Sequence, residues 1–474
     1  MNKEISCDIA IIGAGAGGLS LAAGAAQLGL KVVLIEQGLM GGDCLNYGCV
    51  PSKALLAAAA AHWHTGHNEV LGMTIPQEPV DFTRIMQHVR EVIDTIAVHD
   101  SVERFEGLGV QVIQAKGTFI NDRTLKAGSA EIKAKRYVIA TGSSAAIPPI
   151  PGLNSTHFYT NETIFKLIQL PPELLIIGGG PIGCELAQAF AMLGSKVTLL
   201  EHFGILNHDD PEAVEQVRQS LIGYGITLYE QIDIVRIETN EAKQTLIQCK
   251  QNNDEILVTG THLLVATGRK PNIDQLNCGQ AGIQFSPKGI LVDKRLRTSN
   301  KKIYAIGDVT GIMLFTHIAN YHAGIVLQNI AFKLPVKMHD NAIPWVTYTT
   351  PELAHVGKSE SMCASMGIKY ELLKADYSSN DRAQTCKKTN GFIKVIINPK
   401  GGILGVTIVG DQAGELLLPW VMAIREGKTL RAFTDTIVAY PTLSELSKRV
   451  ASQFYTPKLF SKKVKKLVKF LSYF

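Results

Sequence analysis

Apolar residues in the first part of the chain form short continuous runs rather than the alternating pattern of half-exposed strands. One run, at 9–12, leads into a glycine-rich turn at 13–18, a helix-like segment and a second run at 32–35 that ends in Glu36. Such runs predict buried parallel strands with a helix packed on the sheet. The stretch 9–35 can also be interpreted as a membrane span, but its glycines and its two separate patterns favour strand, turn, helix and strand.

The same pattern occurs a second time in the middle of the chain. An apolar run at 174–177 leads into a glycine-rich turn at 178–183 and, after a helix-like segment, into a run that ends in Glu201. The first glycine and the closing acid are 23 residues apart in both copies. This spacing indicates a repeated dinucleotide-binding unit, in which the turn and the helix N-terminus hold a pyrophosphate. A pair of purely structural glycine turns is the alternative.

Each residue type in the repeat has a physical task. The first glycine permits the sharp bend, the second lets the backbone approach a pyrophosphate, and the third lets the helix pack closely on the strand. These glycines are Gly13, Gly15 and Gly18 in the first copy and Gly178, Gly180 and Gly183 in the second. Glu36 and Glu201 can accept hydrogen bonds from a ribose diol. Strands ending in Ala-Thr-Gly at 140–142 and 266–268 close the two units, and the proline-containing segments after them are reasonable boundaries.

The cysteines indicate redox chemistry rather than a structural scaffold. Eight of them are scattered along 474 residues, and only Cys44 and Cys49 are close, within GGDCLNYGCVPSK at 41–53. Cysteines at this spacing across the start of a helix can approach within disulfide distance, and the helix N-terminus and Lys53 favour a thiolate. A metal knuckle or two inert cysteines are the alternatives, but no second Cys/His pair is placed to complete a zinc site. We therefore expect a redox pair in a reducing compartment and no bound metal.

Two dinucleotide sites and one dithiol in the same chain imply an electron relay. A nicotinamide releases two electrons as hydride, a disulfide accepts them through thiolate chemistry, and a flavin mediates between the two. The repeat beside the cysteines is therefore expected to hold FAD and the second repeat a nicotinamide dinucleotide. Glu201 and the absence of an arginine cluster after its strand favour NAD(H) over NADP(H), with His202 as the one residue nearby that could favour a 2′-phosphate.

Segment 41–53 resembles the signature of the class I pyridine nucleotide–disulfide oxidoreductases, the family of dihydrolipoamide dehydrogenase, glutathione reductase and mercuric reductase. The resemblance extends over nearly the whole chain. It implies that Cys49 faces the flavin as a charge-transfer thiolate and that Cys44 is the interchange thiol that attacks the substrate. It also implies that Lys53 lies beside the flavin and pairs with Glu185, and that Asp308 binds the ribityl chain.

The resemblance also implies an α/β architecture with two Rossmann-like dinucleotide-binding domains and a C-terminal α+β dimerisation domain. In the implied homodimer, each active site is completed by the partner's C-terminal segment. The expected segments are a FAD-binding domain at 1–150, a NAD(P)-binding domain at 151–270, a second FAD-binding or central part at 271–341, a dimerisation domain at 342–456 and a basic amphipathic tail at 457–474. The expected FAD site comprises Gly13, Gly15, Gly18, Glu36, Gly42, Asp43, Lys53, Gly117, Thr141, Gly142 and Asp308. The expected NAD site comprises Gly178, Gly180, Gly183, Glu201 and Gly268.

Departures from the family pattern lie on the substrate side. Lipoamide and glutathione enzymes have a His-Pro segment whose histidine is the acid–base partner of the interchange thiol, whereas this chain has Tyr440 there and retains Glu445. A tyrosine with a pKa near ~10 transfers protons poorly at neutral pH. A tyrosine here is more like mercuric reductase, yet residues 450–474 lack that enzyme's C-terminal cysteine pair. Asp43 replaces a threonine of many relatives, and its carboxylate is expected to raise the pKa of Cys44. Asp43 could also act as a local base, but binding of a phosphate or of the loop is the favoured role.

The net charge of +5 comes from the C-terminal end of the chain. After Glu445 there are eight lysines and arginines and no acids, so the rest of the chain is slightly acidic and indicates no nucleic-acid surface. In the tail, residues 457–474, apolar side chains recur on one helical face and lysines lie mostly elsewhere. This pattern predicts either a short helix on an anionic membrane surface or a solvated or partner-packed helix. The charged start runs directly into an apolar strand, so we expect a cytoplasmic protein without a secretory signal, peripheral to a membrane only through this tail.

These observations favour an NADH-dependent oxidoreductase of the dihydrolipoamide dehydrogenase type that acts on a small disulfide or thiol. A metal-ion reductase, with mercuric ion as the familiar substrate, is the second hypothesis, because thiolates bind soft ions well. A membrane-associated redox-sensing flavoprotein with slow turnover is the third, motivated by Tyr440 and by the tail.

Overall fold

The computed structural model describes residues 3–67, 69–73, 76, 78–252 and 254–474. In its first sheet, strand Lys3–Ile12 lies between Val32–Glu36 and Ala130–Ile139 and pairs in parallel with both. The chain leaves this sheet and returns much later, when Ile303–Ala305 pairs in parallel with Ala130–Ile139. The remaining strands are Gln111–Gln114, Gly117–Phe119 and Leu125–Ala127.

The apolar runs of this sheet are buried on both faces. Ile9, Ala10 and Ile11 have no exposed surface, because helices cover a parallel sheet on both sides. This double burial explains why the runs are continuous rather than alternating. The helices of this part are Ala16–Gln27, Gly42–Asn46, Cys49–Gly66, Phe82–Ala97, Val102–Gly107 and Thr316–Ala331, with 3₁₀ turns at Glu69–Leu71, Val98–Asp100 and Gly307–Thr310. The stretch 9–35 is therefore strand, helix and strand.

A second sheet repeats the strand, turn, helix and strand of the first. Glu173–Ile177 pairs in parallel with Lys196–Glu201, just as Lys3–Ile12 pairs with Val32–Glu36. The predicted internal repeat is therefore present in the fold. The other strands of this sheet are Thr227–Glu230 and His262–Val265, and a separate antiparallel sheet contains Asp233–Thr239, Thr245–Gln251 and Asp254–Gly260. The helices are Asn161–Ile164, Pro181–Met192 and Pro211–Gly223, with a 3₁₀ turn at Leu153–Ser155.

The segments that follow the two Ala-Thr-Gly strand ends lie side by side. Ser143–Ala145 and Arg269–Pro271 form a two-stranded antiparallel sheet, so the chain enters and leaves the second unit through one narrow connection. The domain boundaries at 150, 270, 341 and 456 themselves stay predictions. Two further short strands, Phe285–Ser286 and Gly289–Ile290, pair with each other.

The last part of the chain is an antiparallel sheet with helices packed on it, an α+β arrangement. Its strands, in spatial order, are Pro344–Thr347, Glu352–Gly357, Ile403–Gly410, Phe392–Ile397 and Glu371–Asp376. Trp420 is fully buried in its core and donates its indole N–H to the hydroxyl of Ser447 at 3.0 Å. The helices are Glu360–Ser365, Asp381–Cys386, Ala413–Leu416, Leu418–Arg425, Arg431–Thr434, Glu445–Leu459 and Lys462–Leu471, with a 3₁₀ turn at Tyr377–Ser379.

Buried polar contacts hold this third unit against the second. Nζ of Lys394 lies 2.9 Å from both carboxylate oxygens of Asp210, and the two side chains are buried. The indole N–H of Trp345 donates to Asp209 at 2.6 Å. Removing one partner of a buried ion pair is costly, so these contacts fix the position of the third unit beside the nucleotide-binding ones.

Candidate active site

The two glycine-rich turns have the same local geometry. Gly13 and Gly178 lie in the left-handed region, with φ of 105° and 111°. A Cβ on Gly13 would lie 2.3 Å from the carbonyl oxygen of Ala140, and one on Gly178 would lie 2.4 Å from that of Ala266. These alanines belong to the two Ala-Thr-Gly strand ends. Only glycine fits where the backbone bends this sharply against another strand, so each turn and the strand end behind it form one packed unit.

The acids that close the repeats are also equivalently placed. Oε2 of Glu36 accepts a hydrogen bond from the backbone N–H of Ala14 at 2.6 Å, and Oε2 of Glu201 accepts one from Gly179 at 2.6 Å. The other oxygen of each acid accepts from the N–H two residues further along the chain, at 2.7 and 2.9 Å. Each acid therefore stabilises its own glycine-rich turn through backbone hydrogen bonds. The sequence spacing between glycine and acid does not by itself reveal this role.

A continuous cavity of about 2240 Å³ joins the two turns to the cysteine pair. This volume exceeds the roughly 300–1,000 Å³ of a pocket for one small ligand and suits a site that takes two dinucleotides. Gly15 and Gly180 line the cavity, and a Cβ on Gly180 would meet no protein atom within 4 Å. The backbone is therefore open to a pyrophosphate, and the residues present fit FAD and a nicotinamide dinucleotide.

Most of the residues predicted from the sequence line this cavity. They are Gly13, Gly15, Glu36, Gly42, Asp43, Cys44, Cys49, Lys53, Gly117, Thr141, Gly142, Gly178, Gly180, Glu185, Glu201, Gly268 and Asp308. Gly18 and Gly183 lie behind it, where a Cβ would come within 1.9 and 1.8 Å of the carbonyl oxygen of the first glycine of the same turn. These two glycines therefore serve close packing of the helix on the strand.

The two cysteines differ in their protonation. Cys44 lies in a short helix and Cys49 begins the next one. A hydrogen bond from Cys44 lowers the pKa of Cys49, and Thr316, whose hydroxyl is 3.6 Å from the Cys49 sulfur, and the charge of Lys53 act in the same direction. The same hydrogen bond between the thiols, together with burial, raises the pKa of Cys44. These directions favour the thiolate on Cys49 and the proton on Cys44, which is the arrangement that the resemblance implies.

Lys53, one helical turn after Cys49, brings together distant parts of the chain. Its Nζ lies 2.6 Å from Oε2 of Glu185 and 4.5 Å from the centre of the Tyr348 ring. The other carboxylate oxygen of Glu185 accepts the backbone N–H of Tyr348 at 2.9 Å. Glu185 is buried, so its charge needs both partners. The sequence pattern does not single out Tyr348, which reaches the site only through packing of the third unit.

Arg269 links the cysteine loop to the far wall of the cavity. Its Nη2 lies 2.9 Å from Oδ2 of Asp43, and its Nε lies 3.8 Å from Oδ2 of Asp308. It also donates to the hydroxyl and the carbonyl of Ser143, both at 2.7 Å, and Ser143 donates to Asp308 at 2.6 Å. Sequence reasoning missed this residue. Its position directly after the second Ala-Thr-Gly, where the first copy has Ser143, is the signal that could have identified it.

Asp43 directly precedes Cys44, and its carboxylate is held from two sides. Arg269 binds one oxygen, and the side-chain amide of Asn161 donates to the other at 3.0 Å. The raised pKa of Cys44 has its largest causes in the hydrogen bond with Cys49 and in burial rather than in this carboxylate. Among the roles that the sequence left open for Asp43, the contacts favour holding the loop in place.

Tyr440 and Glu445 lie away from the cavity within one chain. Tyr440 is 70% exposed, and its hydroxyl donates to Oδ2 of Asp381 at 2.9 Å. This hydrogen bond raises the pKa of Tyr440, so the phenol stays protonated at neutral pH. Glu445 accepts a hydrogen bond from the backbone N–H of Thr442 at 3.5 Å. Both residues lie on the segment that, in the dimer implied by the resemblance, faces Cys44 of the other subunit.

Two family profiles cover most of the chain. The profile described as pyridine nucleotide-disulphide oxidoreductase matches residues 7–323, and that of the dimerisation domain of these enzymes matches residues 343–451. The chain belongs to the class I pyridine nucleotide–disulfide oxidoreductases. Its cofactors are therefore FAD and a nicotinamide dinucleotide, and its third unit makes it a homodimer.

Similar proteins cover nearly the whole chain. The mercuric reductase of Staphylococcus aureus is 32% identical over 96% of this chain and 83% of its own length. The dihydrolipoyl dehydrogenase of Staphylococcus aureus is also 32% identical, over 95% of this chain and 97% of its own. The solved Cu(II) complex of the HOCl-induced flavoprotein disulfide reductase RclA from Escherichia coli has a TM-score of 0.83 and 30% identity, and covers 94% of this chain and 99% of its own. The predicted fold class and the predicted enzyme class, a flavoprotein disulfide oxidoreductase, are confirmed.

Proposed function

We propose that this enzyme oxidises NADH and delivers the electrons through Cys49 and Cys44 to a thiophilic metal ion such as Hg(II) or Cu(II). The observation that carries the proposal is the protonated Tyr440, bound to Asp381, on the segment where disulfide-reducing relatives have a histidine. FAD, when bound, supplies the chemistry that takes hydride from a nicotinamide and passes an electron pair to a disulfide.

The need for a proton donor separates metal ions from disulfides as substrates. Reduction of a disulfide releases thiolates, and an acid–base group near its natural pKa speeds their protonation. A metal ion takes up electrons alone. Oxidation of the Cys44 thiol and the Cys49 thiolate to their disulfide releases two electrons and one proton; two Cu(II) ions become two Cu(I), or one Hg(II) becomes Hg(0), and the proton passes to water. Overall, one NADH and two Cu(II) ions yield NAD⁺, one proton and two Cu(I) ions.

The donor atoms of the cavity suit a soft ion. Cys44 and Cys49 are the cysteines among its lining residues, and Cys49 is poised as the thiolate. Within the described ranges, no cluster of three or more His, Cys, Asp or Glu side chains is arranged to hold a metal, so this pair is the proposed binding site. Thiolate sulfur favours soft ions over hard ones. The similarity to mercuric reductases, and to a reductase solved as a Cu(II) complex, supports the same class of substrate.

The surroundings of Glu201 support NADH rather than NADPH. His202, the residue that could bind a 2′-phosphate, has its Nδ1 2.8 Å from Oδ1 of Asp233, which competes with a phosphate for it. Around Glu201 the described lining residues at 200–209 and 232–234 include no lysine or arginine. A 2′-phosphate beside Glu201 would therefore face carboxylates, and the imidazole of His202 is already paired with Asp233. We expect kcat/KM to be at least about tenfold higher with NADH than with NADPH.

A small disulfide is the second candidate substrate. The dihydrolipoyl dehydrogenase relatives match over 97% of their own length, and Glu445, the residue that accompanies the histidine in such enzymes, is retained. This candidate requires another group to protonate the released thiolate. A disulfide substrate therefore predicts a turnover that rises steeply as the pH falls, whereas a metal ion does not.

The test is a substrate panel with the purified FAD-loaded dimer. NADH oxidation is measured with Hg(II), Cu(II), lipoamide and oxidised glutathione, each with NADH and with NADPH. We expect metal-dependent rates that Cys44→Ser abolishes and that Cys386→Ser, a half-buried thiol outside the cavity, leaves unchanged. Lipoamide turnover equal to or faster than metal-ion turnover would overturn the proposal, as would metal reduction that survives Cys44→Ser.

A further inference from the structure

The chain ends in a separate amphipathic helix that the redox chemistry does not use. This terminal helix, Lys462–Leu471, has its own N-cap, because the backbone N–H of Val464 donates to the hydroxyl of Ser461 at 3.5 Å. It carries five lysines and no acid. Every residue from 465 to 474 is exposed. Within the single chain, the helix therefore projects from the body with both of its faces largely exposed.

The terminal helix has one apolar and one basic face. With about 3.6 residues per turn, Val464, Leu467, Val468 and Leu471 fall on one side, and Phe474 continues that side beyond the helix end. Lys462, Lys465, Lys466 and Lys469 lie on the other side, and Lys463 and Phe470 lie at the boundary. The side chains of Leu467, Val468 and Leu471 are more than half exposed, at 54%, 60% and 56%. An apolar face exposed to this extent indicates a binding surface.

We propose that the terminal helix docks the enzyme flat on an anionic lipid bilayer. The apolar face would enter the boundary between head groups and acyl chains. The lysine ammonium groups on the opposite face and at its edge would contact the lipid phosphates. The five lysines are free to do so: in the part of the chain that the structure describes, none of them forms an ion pair. Their charge is complementary to an anionic leaflet and not to an apolar protein surface.

Length and flanking residues support a helix in the plane of the interface. Ten helical residues extend about 15 Å, half of the roughly 30 Å needed to cross the hydrocarbon core. Across all described residues, no helix has the length and apolar character of a membrane span. Leu459 and Phe460, just before the terminal helix, are 58% and 62% exposed and add apolar surface at the point where it leaves the body.

A second copy of the chain is a weaker occupant of this surface. Two such helices packed through their apolar faces would bring ten lysines together with no acid to neutralise them. A bilayer with anionic lipids removes this repulsion. Each lysine near such a surface strengthens binding roughly five-fold, so five lysines predict binding that depends strongly on anionic lipid and on salt.

The test is co-sedimentation of the FAD-loaded full chain with vesicles of phosphatidylcholine, with and without phosphatidylglycerol, at low and high ionic strength. We expect binding to the anionic vesicles that is at least about tenfold stronger than to neutral ones and that salt weakens. Glutamine at all five lysine positions of the terminal helix should abolish it. Leu467→Glu together with Leu471→Glu should abolish it as well, because both faces are required.

A matched control removes the same charge elsewhere. Glutamine at Lys126, Lys250, Lys288, Lys369 and Lys400, five exposed lysines on the body, should leave vesicle binding unchanged. Flavin absorbance and NADH oxidation should be the same in all variants, so loss of folding or of the proposed redox function is recognised separately. Absence of binding to anionic vesicles, equal binding to neutral ones, or binding that survives the glutamine substitutions in the terminal helix would overturn the proposal. A change of oligomeric state on Leu467→Glu without vesicle binding would assign the surface to a second copy.

Discussion

Replacing Arg269 with glutamine would leave Asp43 and Asp308 without the positive charge that they share. Arg269 is 12% exposed, and the two carboxylates are 32% and 20% exposed. The variant keeps a polar side chain, two bonds shorter than arginine, but loses the ion pair with Asp43 and at least one of the two hydrogen bonds to Ser143. The substitution therefore tests whether a salt bridge across the cavity holds the cysteine loop in place.

The expected loss of stability follows from burial. Removing one partner of a buried ion pair costs about 3–5 kcal/mol, and the partial exposure of both carboxylates places the loss at the lower end, about 3 kcal/mol. Burial raises the pKa of Asp308, and Arg269 opposes that rise. Without Arg269 the pKa of Asp308 should rise further. A carboxyl whose pKa is raised by folding destabilises the folded protein increasingly as the pH rises through that pKa. The loss of unfolding free energy caused by Arg269→Gln should therefore be larger at pH 8 than at pH 5.

The measurement is urea unfolding of the FAD-saturated dimer at fixed protein concentration, followed by flavin release. Arg123→Gln is the matched control, because its ion pair with Asp122 is exposed and should contribute less than about 0.5 kcal/mol. Asp43→Asn should cost less than Arg269→Gln, and the double variant should show a coupling energy of at least about 1 kcal/mol. An Arg269→Gln protein within about 0.5 kcal/mol of wild type, or strictly additive single variants, would refute the reasoning.

Three further substitutions separate the parts of the site. Gly178→Ala places a Cβ 2.4 Å from a carbonyl oxygen and should raise the Kd for NADH at least about tenfold while flavin absorbance persists. Gly13→Ala should instead lose FAD. If both variants kept both cofactors, the assignment of the first turn to FAD and the second to NADH would be contradicted. Cys44 contributes most to the lowered pKa of Cys49, and the charge of Lys53 contributes further. In Lys53→Met, alkylation of Cys49 by iodoacetamide should therefore begin at a higher pH. An unchanged pH profile would argue against the contribution of Lys53. Tyr440→His should raise lipoamide turnover by about 10²-fold while metal-ion reduction changes little, and no gain would mean that the missing histidine does not limit disulfide substrates.

The nucleotide-binding part of the fold could be predicted because its determinants are local. Gly13 and Gly178 must adopt positive φ within a turn, and the apolar runs around them must be buried on both faces. Steric limits of this kind act over a few residues, so spacing along the chain is sufficient to recognise them. The Cys44/Cys49 pair belongs to the same class of feature, since a helix start places the two thiols near each other.

The contacts that tune the site could not be predicted, because they join residues that only packing brings together. Arg269 reaches Asp43 after the chain has completed the second unit, and Tyr348 reaches Lys53 from the third. No periodicity links such positions. Their energies depend on burial and on charge placement, which are properties of the folded surface rather than of any segment.

The sequence by itself therefore determined the two dinucleotide turns, the redox pair and the basic terminal helix, each set by the geometry of neighbouring residues. Only the tertiary structure decided how the cysteine loop is held in place and where Tyr440 lies. It joined both turns and the thiols in one cavity and held the phenol of Tyr440 on Asp381, away from Cys44 of its own chain. The physical reason is that steric constraints on a backbone are local, whereas desolvation and electrostatic interactions depend on everything that surrounds a group in three dimensions.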